Sequence, residues 1–451
     1  MKRYLLRTFG CQMNVHDSLR LQEVLAGHGF ERADRLEQAD LVIFNTCSVR
    51  DKAEQKLMSA VGALGPLKQR NPRLLVAVVG CVAQQHGPAL LERLPLVDLI
   101  VGPDNIAHLP ELLGQLRPGG PALCRTEFDL QSPRFLTAPP GGPAPGVTAY
   151  VTVMKGCDQK CTFCVVPNTR GPERYRSSHQ IIDEIGRLVA GGVREVTLLG
   201  QTVNSWREPS GQGEPAGRAF AWLLRRTASE VPELVRLRYT APHPLYLTPE
   251  LIAAHAELEV LPWHLHLPVQ SGSDSVLRRM VRGYSRGAFI ELCEQLRNAR
   301  PDLSLSTDLI VGFPGETDED FEQTLDLVNQ VGFTGAFAFK YSPRPHTAAF
   351  RLGDTVPEPV KEQRLARLLE LVDRLQASHL QSLVGERTRV LVEERNRKDP
   401  ERFTGRSHRN EIVHVRPPPG LDPAGLLAPV IIEQANKHSL LGSMETTGSG
   451  R

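Results

Sequence analysis

The residues most suited to chemistry in this 451-residue chain are its eight cysteines. Three crowd into Cys157-Asp-Gln-Lys-Cys161-Thr-Phe-Cys164, just after a strand-like run beginning near Tyr150. Thiolates suit zinc or an iron–sulfur cluster. Structural zinc normally takes four protein ligands. No fourth cysteine lies nearby, and the nearest histidine is His179. Three thiolates on a four-iron cluster would leave one iron open to a substrate or cofactor. Cys11, Cys47 and Cys81 stand 36 and 34 residues apart, too far for a local metal motif. Each ends an apolar run: YLLRTFGC, ADLVIFNTC and LLVAVVGC. If those runs are parallel strands, the thiols share one sheet edge, where open α/β folds bind ligands. Cys124 and Cys293 read as packing residues.

The elements that must position these thiols follow from periodicity. Strands at Tyr4–Thr8, Leu41–Asn45 and Leu74–Val79 alternate with helical patterns, which predicts an open parallel α/β sheet over residues 1–116. Residues 117–146 hold seven Pro and five Gly, including APPGGPAPG, and read as a linker. Beyond it, strands begin near Tyr150, Glu195, Val235, His264, Leu303 and Gly335, with room for a helix between each pair. The pattern Ile181, Ile182, Ile185, Leu188, Val189 marks one such helix, with Ser178 as its N-cap. Six strand–helix units over 147–378 predict a partial (β/α)6 barrel, whose sites form at the carboxyl ends of its strands. Residues 379–446 turn to short β-branched segments, RVLVEE, EIVHV and APVIIEQA, and predict a small all-β barrel.

Composition is that of a globular chain, 41% hydrophobic and 23% charged, which argues against wholesale disorder. A net charge of +2 does not by itself demand nucleic acid. No apolar run approaches the roughly 20 residues that span a bilayer. A monomer of the cytoplasm, without membrane contact, is expected.

Cys-x3-Cys-x2-Cys after the first strand of a (β/α) barrel resembles the signature of the radical S-adenosylmethionine (SAM) superfamily. The resemblance implies a [4Fe–4S] cluster on Cys157, Cys161 and Cys164. SAM would bind its open iron and be cleaved reductively to methionine and a 5′-deoxyadenosyl radical. By the same analogy Gln201 would face the methionine amino group, Gln270 and Ser271 the ribose, and Val311 and Gly312 the adenine. Lys155 and Arg174 flank the cluster loop, either to neutralise charge or as solvated side chains.

The whole arrangement is similar to the radical SAM methylthiotransferase family. Phe9-Gly10-Cys11-Gln12-Met13-Asn14 with Asp17-Ser18, Asn45-Thr46-Cys47-Ser48-Val49-Arg50, and Leu199-Gly200-Gln201-Thr202-Val203-Asn204-Ser205-Trp206 resemble its tRNA-2-methylthio-N6-dimethylallyladenosine synthase branch. Thr202 and Trp206 replace the commoner Asn and Tyr, and His346 stands where Gly is usual. The resemblance implies a second, auxiliary [4Fe–4S] cluster on Cys11, Cys47 and Cys81. It also implies two SAM molecules per turnover, an electron donor and a sulfur source. The product would carry a methylthio group on carbon 2 of an isopentenylated adenosine beside the anticodon of tRNA. The alternatives are a threonylcarbamoyladenosine or ribosomal-protein methylthiotransferase, and, in another class, a zinc-stabilised RNA-binding protein.

The C-terminal segment resembles the RNA-binding TRAM barrel. Thr404-Gly405-Arg406-Ser407-His408-Arg409-Asn410 matches its Gly-Arg-x-x-x-Asn pattern, and Arg402, Arg406, Arg409 and Arg416 are the expected RNA contacts. A second basic run, Arg278, Arg279, Arg282 and Arg286, follows the fourth barrel strand. Anaerobic reconstitution is expected to load two clusters, read as roughly eight irons per chain in an iron assay. A chain saturating at about four irons would count against the second cluster, and a colourless, zinc-loaded protein would favour the binding protein.

Overall fold

The structure is a computed structural model that describes residues 2–49, 51–117, 119–130, 135–138, 146–210 and 214–445. Arg50 and the linker residues 139–145 lie outside the described residues, as does the end of the chain from 446. Six strands form the first sheet: β1 Lys2–Phe9, β2 Phe30–Arg32, β3 Leu41–Thr46, β4 Leu75–Gly80, β5 Leu99–Val101 and β6 Leu123–Arg125. All pair in parallel, in the order β2-β1-β3-β4-β5-β6. β3 is buried along its whole length, because helices cover both faces of such a sheet and leave its strands almost entirely apolar. One apolar layer, with Phe44 and Val78, packs on one face, and another, with Ile43 and Val79, packs on the opposite face.

β6 corrects the expected linker. Residues 123–125 are the last strand of the first sheet, with Cys124 paired opposite Ile100 and packed against its core. Three residues amid prolines and glycines carry too little periodicity to read as a strand.

The middle of the chain supplies β7 Thr148–Thr152, β8 Met154–Lys155, β9 Arg174–Tyr175, β10 Glu195–Leu199, β11 Arg236–Tyr239, β12 His264–His266, β13 Ser304–Val311 and β14 Gly335–Lys340. The six long-spaced strands are the expected ones. They form two parallel three-stranded sheets, β11-β10-β7 and β12-β13-β14, rather than one continuous wall. A single apolar core joins them, with Val151, Leu198 and Leu237 from one sheet and Leu265, Leu305 and Leu309 from the other. The helix Ser178–Ala190 begins one residue earlier than its sequence suggests, because Ser177 Oγ accepts the Gln180 backbone N–H. Among the described residues no helix is long and apolar enough to cross a membrane.

A long helix, Glu358–Ser382, leads to β15 Arg387–Arg395, β16 Phe403–Ser407, β17 Ile412–Arg416, β18 Leu427–Ala435 and β19 Leu440–Met444, a closed five-stranded barrel. It docks at the amino ends of the central strands. Arg236 at the start of β11 donates to the Arg406 carbonyl at 3.3 Å, and the Trp263 N–H donates to the His408 carbonyl at 2.9 Å. The Ser304 hydroxyl at the start of β13 donates to the Arg409 carbonyl at 3.1 Å.

β8 and β9 form a two-residue hairpin that brackets the cysteine loop. Gly156 makes it possible: at φ +78° a Cβ would lie 1.9 Å from the Pro172 carbonyl oxygen. Gly156→Ala is expected to cost at least about 1–3 kcal/mol, read as a lower midpoint in chemical denaturation.

Candidate active site

Both cysteine trios stand at carboxyl ends of parallel strands, where successive strand–helix units converge. Cys11 follows β1 and caps the helix Gln12–Gly27. Cys47 follows β3, and Cys81 follows β4 as the first residue of the helix Cys81–His86. In this strand order the chain reverses direction between β1 and β3, the usual ligand crevice of such sheets. Asn14, in the first turn of the helix Gln12–Gly27, and Asn45, near the end of β3, tie the helix to the strand. Asn14 Nδ2 donates to Asn45 Oδ1 at 2.9 Å, and Asn45 Nδ2 returns a bond to the Asn14 carbonyl at 2.9 Å. Gly10 leaves the space, since a Cβ there would meet Cys47 Cβ at 2.4 Å. The Cys47 thiol donates to Cys11, which lowers the Cys11 thiol below its ordinary value and raises that of Cys47. Burial pushes Cys81 up, and the neighbouring Arg170 guanidinium pulls it the other way.

Cys157, Cys161 and Cys164 line a cleft of about 600 Å³ together with His346 and Arg351. Thr202 Oγ1 lies 3.1 Å from Cys157 Sγ. Arg282, buried, donates to Cys161 Sγ at 3.3 Å and to the Pro268 carbonyl at 3.0 Å. Burial pushes the Cys164 thiol up to about 12. None of the cysteines is in a disulfide.

Two trios of free thiols, each with a hydrogen-bond donor or partner placed at a sulfur, fit anionic iron–sulfur centres, whose electronics such donors tune. Among the described residues no three His, Cys, Asp or Glu side chains are gathered around a single-ion position. A cluster offers each thiolate a separate iron and accepts wider spacing.

The helix Val166–Arg170 links the trios. It begins two residues past Cys164. At its other end, Arg170 Nε donates to Cys81 Sγ at 3.2 Å, and its Nη2 donates to Asp17 Oδ2 at 2.8 Å. Both partners of this ion pair are buried, at 4% and 6% side-chain exposure. Burial would raise the Asp17 carboxyl, yet Arg170 and His16 hold it down at about 2. Lys155 and Arg174 are likewise buried. Arg174 pairs with Asp104 of the first sheet's unit, and Lys155 Nζ lies 3.6 Å from the same carboxylate. They are not solvated. They fasten the two units together.

The expected SAM residues divide. Gln201 Oε1 is buried and has no hydrogen-bond partner among the described residues. Gln270 has φ +77° and is held by its own backbone, its N–H donating to the Asp308 carbonyl and its carbonyl accepting from Ile310, both at 2.9 Å. A non-glycine residue in this region marks strain of the kind found at ligand sites. The Ser271 hydroxyl is turned into the fold, 3.4 Å from Thr324 Oγ1. The buried Val311 accepts the Tyr341 N–H at 2.8 Å, and the Gly312 N–H donates to Glu316 at 2.8 Å.

The three departures from common motifs have local explanations. Thr202 touches Cys157, as above. Trp206 is fully buried and donates to the Arg176 carbonyl at 2.9 Å. His346 sits at φ +67°, the region that favours the glycine usual there.

The basic runs are less open than expected. Arg409 pairs with Asp302 at 2.9 Å beside Trp263. Arg406 faces Glu393 at 3.5 Å, and Arg402 pairs with Asp399 at 3.1 Å. Arg416 is exposed. In the second run Arg282 serves Cys161, Arg279 pairs with Asp320 and Arg286 with Asp326. It forms no single basic face.

Arg170 and Asp104 escaped the sequence reading, because a charge is ambiguous until its distant partner is known. Arg170→Met is expected to cost about 3–5 kcal/mol by stranding a buried carboxylate. Adding Asp17→Asn should recover much of that loss in chemical denaturation, and additive losses would refute the pairing.

Residues 3–102 match the family described as uncharacterized protein family UPF0004, and residues 151–328 match the radical SAM superfamily. A tRNA-2-methylthio-N(6)-dimethylallyladenosine synthase of Sorangium cellulosum is 54% identical, over 98% of this chain and 93% of its own. The protein of that name from Aromatoleum aromaticum is 45% identical, over 99% and 100%. Among solved structures, the radical SAM methyltransferase TsrM from Kitasatospora setae shares the fold at TM-score 0.53 and 15% identity, over 90% of this chain and 81% of that one. With its cysteines at strand ends and identity sustained over nearly its full length, the chain belongs to the tRNA-2-methylthio-N(6)-dimethylallyladenosine synthase family of radical SAM enzymes.

Proposed function

We propose that this chain places a methylthio group on carbon 2 of an N6-isopentenyladenosine beside the anticodon of tRNA. The observation that carries the reading is the pair of cysteine trios joined through the helix Val166–Arg170. Cys157, Cys161 and Cys164 would hold the cluster that binds SAM, and Cys11, Cys47 and Cys81 the auxiliary cluster. Together these cofactors supply the one-electron chemistry and the sulfur that an unreactive aromatic carbon demands.

The chain's own residues hold and tune. Arg282, Thr202 and Arg170 place polar groups against Cys161, Cys157 and Cys81, and hydrogen bonds to ligand sulfurs shift a cluster's potential. Gln201 offers its unused oxygen to the amino group of SAM. The ion pairs of Arg170 with Asp17 and of Arg174 with Asp104 hold the two units in register. The enzyme works on tRNA as a cytoplasmic monomer, with an external electron donor and sulfur source. Arg402, Arg406, Arg409 and Arg416 contribute RNA contacts, with Arg416 the most open of them.

Mass spectrometry of tRNA nucleosides from a strain lacking the chain is expected to show isopentenyladenosine without its methylthio group. Complementation with the natural chain should restore it, and Cys47→Ala or Cys161→Ala should not. Loss of methylthio from threonylcarbamoyladenosine instead would overturn the substrate. Arg416→Ala should weaken tRNA binding and reduce the salt slope by roughly one; an unchanged slope removes that contact.

A further inference from the structure

The concave side of the barrel carries a feature that cluster and SAM binding leave unexplained. On β13 and β14, Leu305, Leu309, Ala336 and Ala338 pack under the helices. The alternate residues Ser306, Asp308, Phe337 and Phe339 therefore face the other side, since strand side chains alternate. Barrel interiors are ordinarily filled. Here Phe337 is 57% exposed and Phe339 39% exposed. Beside them His266 bridges Ser306 Oγ at 2.9 Å and Asp308 Oδ2 at 3.2 Å, and its ring meets Phe337 edge-on at 5.9 Å. Phe339 pairs with Ile310, the residue before Val311 and Gly312. Two open phenyl rings and an oriented carboxylate thus stand directly below the expected adenine edge of the SAM site.

We propose that Phe337, Phe339 and Asp308 form the pocket that selects the N6 substituent of the target adenosine. This deepens the function proposed above and rests on it. The phenyl rings take the flat base and its branched hydrocarbon, which stack and bury apolar area against them. Asp308, held by His266, accepts the N6–H. The same carboxylate, set among apolar rings, repels a substituent that carries its own carboxylate, as threonylcarbamoyl does.

The test is binding, measured by fluorescence anisotropy on the anaerobically reconstituted holoprotein. The probes are anticodon stem–loop RNAs bearing adenosine, isopentenyladenosine or threonylcarbamoyladenosine next to the anticodon. The natural chain is expected to prefer the isopentenyl RNA over the unmodified one by about tenfold or more, from burial of a few hydrocarbon groups. Phe337→Ala with Phe339→Ala should erase that preference, so that the isopentenyl and unmodified RNAs bind the variant equally. Asp308→Asn, which keeps the shape of the site, should narrow the discrimination against the threonylcarbamoyl RNA. A preference that survives in the double variant, or discrimination untouched by Asp308→Asn, overturns the pocket while leaving the function standing. A natural chain with no preference among the three RNAs overturns both.

Discussion

The contact on which the rest depends is the buried fork of Arg170, with one nitrogen on Cys81 and another on Asp17. The two cysteine trios lie on different units of the chain, and methylthiolation needs them in one place. Arg170 belongs by sequence to the barrel and by contact to the first sheet. Its helix is five residues long and starts beside the last barrel cysteine, so there is little slack between them. Buried ion pairs are weak evidence for stability, because desolvation offsets most of the attraction. Their better-attested use is to fix register, and here the buried pairs of Arg170 with Asp17 and of Arg174 and Lys155 with Asp104 serve the same interface.

That interface also explains why the cysteine surroundings are so polar. Asn14, Asn45, Ser18 and His16 are all buried, an expensive set to remove from water. Asn14 and Ser18 of the helix Gln12–Gly27 bond Asn45 of β3, while His16 reaches over to Thr152 of the barrel at 3.3 Å. The thiols gain a rigid frame at the end of a sheet whose interior is almost wholly aliphatic.

Much of this was legible in the sequence, for physical reasons. Cys11, Cys47 and Cys81 stood out because each followed an apolar run, and a parallel sheet brings such ends together; Cys157, Cys161 and Cys164 stood out by their crowding into eight residues. The central strands were found because their long spacing admits a helix in every gap. What was missed was short or non-local. β2, β5 and β6 have three residues each, and the β8–β9 hairpin has two per strand, below what alternation can reveal. Lys155, Arg174, Arg282, Arg406 and Arg409 were read as charge near a cluster or RNA. Three are buried, and the other two are engaged at the edge of the C-terminal barrel, because a charge declares its role only through a partner far along the chain. Ser177 capping in place of Ser178 is the ordinary one-residue uncertainty of a helix end.

The C-terminal barrel sits at the foot of the central strands, and the cysteines sit at their crown. β13 alone has eight residues, about 26 Å at the usual rise per residue. An RNA that engaged both ends would lie lengthwise along the central strands. On the proposed contacts, a lone nucleoside would touch only one end, whereas a folded stem would bridge both, and reach along the RNA would become part of recognition.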